Sequence, residues 1–177
     1  MFRRLSLCSV CLCVGWLLST QHARADDRHD DPRRLMLAVD FDYADTISST
    51  IVDQGGGGGL RIGHELDAFL VTLVPELELN YHSFDNGDAT TFAGLIGGRL
   101  RFLKILEPGI FAHAGAGHIG GDESHTGFAM NLGLTLDLTI LPLIDLGLHA
   151  AWNRIFSGET HPGLSWSTFG AHVALVF

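Results

Sequence analysis

The sequence predicts an all-β protein in which eight antiparallel strands close into an up-and-down barrel behind an N-terminal export signal. Three observations carry this prediction. Apolar and polar residues alternate with period two in eight segments from residue 34 to the end of the chain, the pattern of strands with two unlike faces. The apolar faces of those segments hold no Asp, Glu, Lys or Arg. Each segment is near the roughly 9–11 residues that a tilted strand needs to cross a bilayer.

The export signal comes first. Arg3 and Arg4 precede the uncharged apolar run Leu5–Leu18, and Ala23-Arg24-Ala25 is an A-x-A cleavage pattern. The run is shorter than the roughly 20 residues of a spanning helix. Met1–Ala25 is therefore expected to be removed as a signal peptide, leaving residues 26–177 as the barrel domain. Cys8, Cys11 and Cys13 all fall in the signal, so no disulfide, thiolate metal site or cysteine nucleophile is expected in the mature chain. Residues 26–177 carry all twenty acidic residues and eight of the eleven basic ones, a net charge of −12 with histidine neutral. That balance disfavours nucleic acid, whose phosphates require a cationic surface.

The eight strands are expected near residues 34–43, 59–67, 70–82, 92–103, 109–118, 127–138, 143–153 and 166–177. In the first, Leu35, Leu37, Val39, Phe41 and Tyr43 oppose Arg34, Met36, Ala38, Asp40 and Asp42. The second is weaker, with Leu60, Ile62 and Leu66 beside His64. The third sets Leu73, Pro75, Leu77, Leu79 and Tyr81 against Glu76, Glu78, Asn80 and His82. In the fourth, Phe92, Ile96, Leu100 and Phe102 oppose Gly97, Arg99 and Arg101. The fifth has the thin apolar face Ile110, Ala112, Ala114 and Ala116. The sixth alternates Phe128 through Leu138 against Asn131, Gly133, Thr135 and Asp137. The seventh opposes Ile144, Leu146, Leu148, Ala150 and Trp152 to Asp145, Gly147, His149 and Asn153. The eighth opposes Phe169, Ala171, Val173, Leu175 and Phe177 to Thr168, Gly170 and His172.

Connections are expected to alternate between long (44–58, 84–91, 119–126, 154–165) and short (67–69, 104–108, 139–142). Gly55–Gly59 reads as a mobile loop, since five glycines hold neither helix nor strand well. Aromatic residues fall at the strand ends. Phe41, Tyr43, Tyr81, Phe92, Phe128, Trp152 and Trp166 lie beside the long loops, and Phe69, Phe102 and Phe177 lie near the opposite ends, as two interfacial girdles require.

The closing run F-G-A-H-V-A-L-V-F (Phe169–Phe177), together with E-P-G-I-F-A-H-A-G-A-G (Glu107–Gly117), resembles the small eight-stranded outer-membrane barrels of Gram-negative bacteria. This is the class of the transmembrane domain of outer-membrane protein A and its smaller relatives. The resemblance implies an outer-membrane location with both termini periplasmic and a porin-like exterior. It also implies contact with outer-membrane lipid and lipopolysaccharide, and assembly through the barrel-assembly machinery. That machinery would read Phe169, Val173, Leu175 and Phe177; Leu175 stands where an aromatic is common. With Phe177 last, the peptidoglycan-binding domain of the larger relatives is expected to be absent.

The inward polar residues are expected to fill the lumen, because an eight-stranded interior is just wide enough for side chains. Glu76 and Glu78 are expected opposite Arg99 and Arg101. Asp137 and Asp145 are expected near one another and facing the same arginines, with His149 in the same network. The histidines and carboxylates His118, Asp122, Glu123, His125, Glu159 and His161 gather in the loops, but their spacing matches no ligand motif. No metal or cofactor is assigned. Ser124 with His125, and His161 with Ser165 and Ser167, are the nearest to a catalytic relay. Neither resembles the His-x-Ser-Asn element of lipid A deacylases, and no catalytic residue is assigned. The expected role is non-enzymatic: structural, adhesive or surface-interacting, through acidic outer loops. The alternatives are a lipid-modifying outer-membrane enzyme and a soluble periplasmic barrel that would bury Leu132, Leu134 and Leu136 and expose Arg99 and Glu76. Oligomeric state is left open.

Overall fold

The computed structural model describes residues 33–177 apart from 48–53, 69, 86–87, 122–123, 140, 142 and 157–162. The expected signal peptide and Phe69 lie outside the described residues. Eight strands follow one another in chain order: β1 (Arg33–Thr46), β2 (Gln54–Ala68), β3 (Val71–Phe84), β4 (Ala89–Phe102), β5 (Leu106–Gly120), β6 (His125–Leu138), β7 (Ile144–Ile155) and β8 (Leu164–Val176). Every neighbour is antiparallel, and β8 pairs back onto β1 to close the barrel. The seam is completed by Phe177, whose N–H donates to the Leu35 carbonyl at 2.9 Å while the Leu35 N–H donates to the Phe177 carbonyl at 3.1 Å. Closure leaves no sheet edge with unpaired backbone.

The strands run 12 to 15 residues, longer than the alternation alone suggests. They extend the ladder into segments that read as loops. The connections at 85–88 and 121–124 are consequently as short as those at 103–105 and 139–143, and only 47–53 and 156–163 are longer. The expected division into long and short connections is corrected accordingly.

The largest correction concerns Gly55–Gly59. These glycines are strand, paired with β1 from Ala44 to Asp40 and with β3 from Phe84 to Asn80. A glycine run carries no hydropathy pattern, so its alternation is invisible, yet its backbone pairs like any other. At Gly55, Gly57 and Gly58 side chains are excluded by close approach: a Cβ on Gly57 would lie 2.1 Å from the Tyr81 carbonyl oxygen and 2.7 Å from the His82 ring.

Large apolar side chains face outward and polar ones inward. Leu134 is 63% exposed and Arg99 3%, the reverse of what a soluble barrel would show. Across the outer face one register row runs Phe41, Gly58, Tyr81, Phe92. Tyr43, Phe128 and Trp152 also face outward toward the loop end, and Phe102 and Phe177 toward the terminus end. Trp166 departs from this belt. It points inward, 1% exposed, because it shares parity with Thr168 and Gly170 rather than with Phe169. The longer strands also bring Asp45 and Arg154 onto the outward face. Each stands two residues beyond an aromatic, Tyr43 or Trp152, so both charges lie at the loop ends of their strands, and Arg154 stacks on Phe156 with its guanidinium 4.6 Å from the ring centroid.

Replacing Gly57 by Val should destabilise the barrel by about 1–3 kcal/mol through overpacking, read as a lowered urea midpoint for the folded species in detergent.

Candidate functional site

The interior is the site that the sequence builds. It is layered along the barrel axis. At the loop end a cluster of Ala44, Phe84, Ala93, Leu95, Ala129, Ile155, Leu164 and Trp166 closes the lumen. Trp166 meets Phe84 edge-on at 6.0 Å and His82 at 5.7 Å. A second apolar cluster of Met36, Ala38, Val74, Ala174 and Val176 lines one wall toward the terminus end. Between and beside these lie the charges.

Three buried arginines organise the charged region. Arg101 pairs with Glu65, with Glu107 at 3.3 Å and with Asp145 at 3.3 Å. Arg99 reaches Glu76 at 3.4 Å and Asp137 at 3.8 Å, donates to the Thr135 hydroxyl at 3.2 Å, and lies 5.1 Å from the Phe111 ring centroid. Arg61 forks onto both oxygens of Asp40, at 2.7 and 2.8 Å, and touches Glu76 at 3.4 Å. Two-pronged guanidinium–carboxylate pairs of this kind are both strong and directional. Such pairing matters because a buried charge without a partner is strongly destabilising.

The histidines complete the network. His113 has both ring nitrogens engaged, Nε2 with Glu76 at 2.9 Å and Nδ1 with Asn131 at 2.7 Å and Glu78 at 3.1 Å. Asn131 also donates to Glu78. His149 donates Nε2–H to Asp42 at 2.6 Å, His82 donates to the other Asp42 oxygen at 3.2 Å, and His172 Nε2 lies 2.6 Å from Asp137. A small cavity with ≈ 20 Å³ of room for water touches Asp40, Arg61, Glu78, Asn131 and His149, about enough for one ordered water.

Glu76, Glu78, Arg99, Arg101, Asp137, Asp145 and His149 thus all lie inside, but the expected register is corrected. Arg99 stands opposite Val74 and Arg101 opposite Thr72, while Glu76 and Glu78 stand opposite Gly97 and Leu95. The turn at 85–88 is tighter than 85–91, which moves the partners by whole pleats. Arg99 therefore meets Glu76 diagonally, and Arg101 finds its carboxylates on β2, β5 and β7. Of the two aspartates expected to face these arginines, Asp137 lies 3.8 Å from Arg99 and Asp145 3.3 Å from Arg101. Arg61, Glu65, Glu107, His113 and His172 join the network without having been expected in it. Arg61 and Glu65 follow from the parity of Leu60 and Ile62, whereas Glu107 falls in a segment that reads as a turn.

The loop cluster weighed for metal does not gather among the described residues. His118 faces outward and donates to or accepts from Thr126 at 3.0 Å, His125 takes the inward parity, and Asp122, Glu123, Glu159 and His161 lie outside the described residues. Of the relay candidates, Ser165 and Ser167 stand opposite Arg154 and Trp152 on β7.

No protein-family model and no curated protein matches the sequence. Among solved structures, the fold is similar to Neisserial surface protein A, at 14% identity and a TM-score of 0.58, covering 83% of this chain and 98% of that one. It is also similar to Ail, the attachment invasion locus protein of Yersinia pestis, at 11% identity and a TM-score of 0.50 over 82% and 97% of the two chains. The outer membrane enzyme PagL stands at 15% and 0.50, over 78% and 98%. The chain therefore has the fold of the small eight-stranded outer-membrane β-barrels.

Replacing Arg101 by Met leaves Glu65, Glu107 and Asp145 without their shared cation. Unfolding of the barrel in lipid vesicles should show a loss of about 3–5 kcal/mol.

Proposed function

We propose that this protein is an integral outer-membrane barrel whose role is structural or surface-interacting rather than enzymatic or conducting. One observation carries the reading: a closed barrel turns large apolar side chains outward all round and paired charges inward. Lipid is the solvent that such an exterior fits, because charge at the midplane costs roughly 2–4 kcal/mol, and among the described strand residues the outward charges Asp45 and Arg154 stand at the loop ends of β1 and β7, at the level of the aromatic belt. The aromatic belts favour headgroup level at both ends. In this reading both termini are periplasmic, the loop end meets lipopolysaccharide and the cell surface, and the outward residues Phe169, Val173, Leu175 and Phe177 present the strand to the assembly machinery.

The non-conducting part of the proposal rests on the filled lumen. Trp166, Phe84 and Ile155 close the loop end, and the arginine pairs occupy the section below. The non-enzymatic part rests on the charged network of the described residues, which sits inside, behind the barrel wall and away from the lipid a hydrolase would have to reach.

The protein should be recovered in the outer-membrane fraction with a gel mobility that changes on boiling. A soluble periplasmic species with no shift would overturn the membrane reading. Mass spectra of lipid A from cells expressing the protein should match those from cells lacking it, and new deacylated or acylated species would make it an enzyme. In planar bilayers the purified barrel should give no stepwise conductance.

A further inference from the structure

Among the described residues, eight carboxylates lie within the interior (Asp40, Asp42, Glu65, Glu76, Glu78, Glu107, Asp137, Asp145), with Asp67 at the rim, against the three buried arginines Arg61, Arg99 and Arg101. Arg34 adds a fourth cation only at the rim, bound to Glu65 at 2.7 Å. The lumen thus holds more negative charge than its guanidinium groups balance, and the surplus sits around the histidines.

Three of those histidines are arranged unlike His113. His82, His149 and His172 each give Nε2 to a carboxylate and leave a buried Nδ1 without a hydrogen-bond partner. Of these, His149 and His172 gather with a further carboxylate, Asp40. Their own carboxylates are Asp42 and Asp137, both at 2.6 Å. The carboxylate accepts, so Nε2 carries the proton, and in the neutral form of each ring Nδ1 presents a lone pair to a metal ion. Neither Nδ1 has a hydrogen-bond partner, although both atoms are buried. The side chains are 8% and 3% exposed. His149 Nδ1 lies 3.9 Å from Asp40 Oδ1, too far for a hydrogen bond and about half an ångström wider than two tetrahedral ligands of one ion with bonds of about 2.0–2.2 Å, so a small inward movement of the ring would bring both onto one ion. Asp40, His149 and His172 each bring one ligand atom into a group within 4.8 Å. Asp40 is directly opposite His172 across the β1–β8 seam.

The rings are seated on glycines. A Cβ on Gly147 would lie 2.3 Å from His172 Cε1, and one on Gly170 would lie 2.7 Å from His149 Cε1 and 2.3 Å from an Asp42 oxygen. The imidazoles are near-parallel, with centroids 5.7 Å apart. Arg61 occupies Asp40 through one lone pair on each oxygen, and each carboxylate oxygen has a second. The water-sized cavity beside Asp40 and His149 supplies room for a further ligand.

We infer that Asp40, His149 and His172 form a divalent transition-metal site inside the barrel, with Asp42 and Asp137 orienting the two imidazoles. Two imidazoles and a carboxylate are donors suited to zinc and its first-row neighbours. Ring N–H groups held by carboxylates are the usual outer support of such sites. The ion supplies the positive charge that the arginines leave short.

The test uses the full-length protein, folded in detergent, stripped with a chelator and titrated with Zn²⁺ alone. After desalting, the wild type should retain about one zinc per barrel. His172→Gln and His149→Gln, each first checked for a heat-shifted band, should bind at least about 10-fold more weakly. His64→Gln, which removes an outward histidine, should bind like wild type. Should the lumen variants fail to fold, Co²⁺ added to the wild type still decides. Visible bands of four- or five-coordinate cobalt with nitrogen ligands support the site, and the spectrum of the hexa-aqua ion overturns it. Retention of less than about a tenth of an equivalent of zinc by the wild type, or unchanged affinity in folded His172→Gln, would also overturn it and leave the two nitrogens bonded to water alone. None of these outcomes depends on where the barrel resides.

Discussion

An eight-stranded barrel has an interior only as wide as its own side chains, and that single constraint orders the rest of the structure. Whatever the pleat turns inward must be accommodated across a narrow lumen. Where it is charged it must meet an opposite charge there, because water cannot enter in bulk. Arg61, Arg99 and Arg101 succeed because their long, planar heads reach several strands at once. Arg101 alone ties β4 to β2, β5 and β7. The ladder closes the wall, and these guanidinium groups cross-brace it. Buried pairs of this kind confer little net stability relative to apolar packing. What they do is make the arrangement unforgiving, since any slip that separates an arginine from its carboxylates leaves several charges uncompensated.

The same narrowness explains the distribution of small residues. Arginine and imidazole need space that a strand with a side chain at every inward position would not leave. The inward faces therefore interrupt themselves with Gly97, Gly133, Gly147 and Gly170 beside His113, Phe111, His172 and His149, and with Gly109 beside Thr135 and Arg101. Bulk on one strand is matched by its absence on the next.

Much of this order is legible in the amino-acid sequence. Period-two alternation is a property of single residues, and it separates Leu134 from Asp137 and Tyr81 from His82 without knowledge of pairing. It fails where it has nothing to act on: Gly55–Gly59 has no side chains to alternate. Register is beyond it for a different reason. A slip of two residues keeps every side chain on its own face, so alternation sorts inside from outside and is silent on whether Arg99 meets Glu76 or Glu78. At Trp166 two signals conflict, a position at a strand end that suits the girdle and a parity that points inward, and parity wins. The grouping of Asp40, His149 and His172 draws on β1, β7 and β8, and it exists only once the barrel is closed.

Alternation also explains how so little identity sustains so similar a fold. If the barrel asks only that outward residues be apolar and inward ones compact and paired, many sequences comply, and a likeness at 14% identity speaks of that requirement and no more. Individuality must then be sought where the residues do more than filling demands. A lumen that needed only bulk at 149 and 172 would be served by Thr or Leu, without glycines hollowed out beneath them. Two imidazoles seated on Gly147 and Gly170, each with one nitrogen held by a carboxylate and the other unused, exceed what packing requires. An unused buried nitrogen costs stability unless something occupies it. The barrel keeps more than two such atoms, His82 Nδ1 among them, but His149 and His172 are the pair it gathers with a further carboxylate, Asp40.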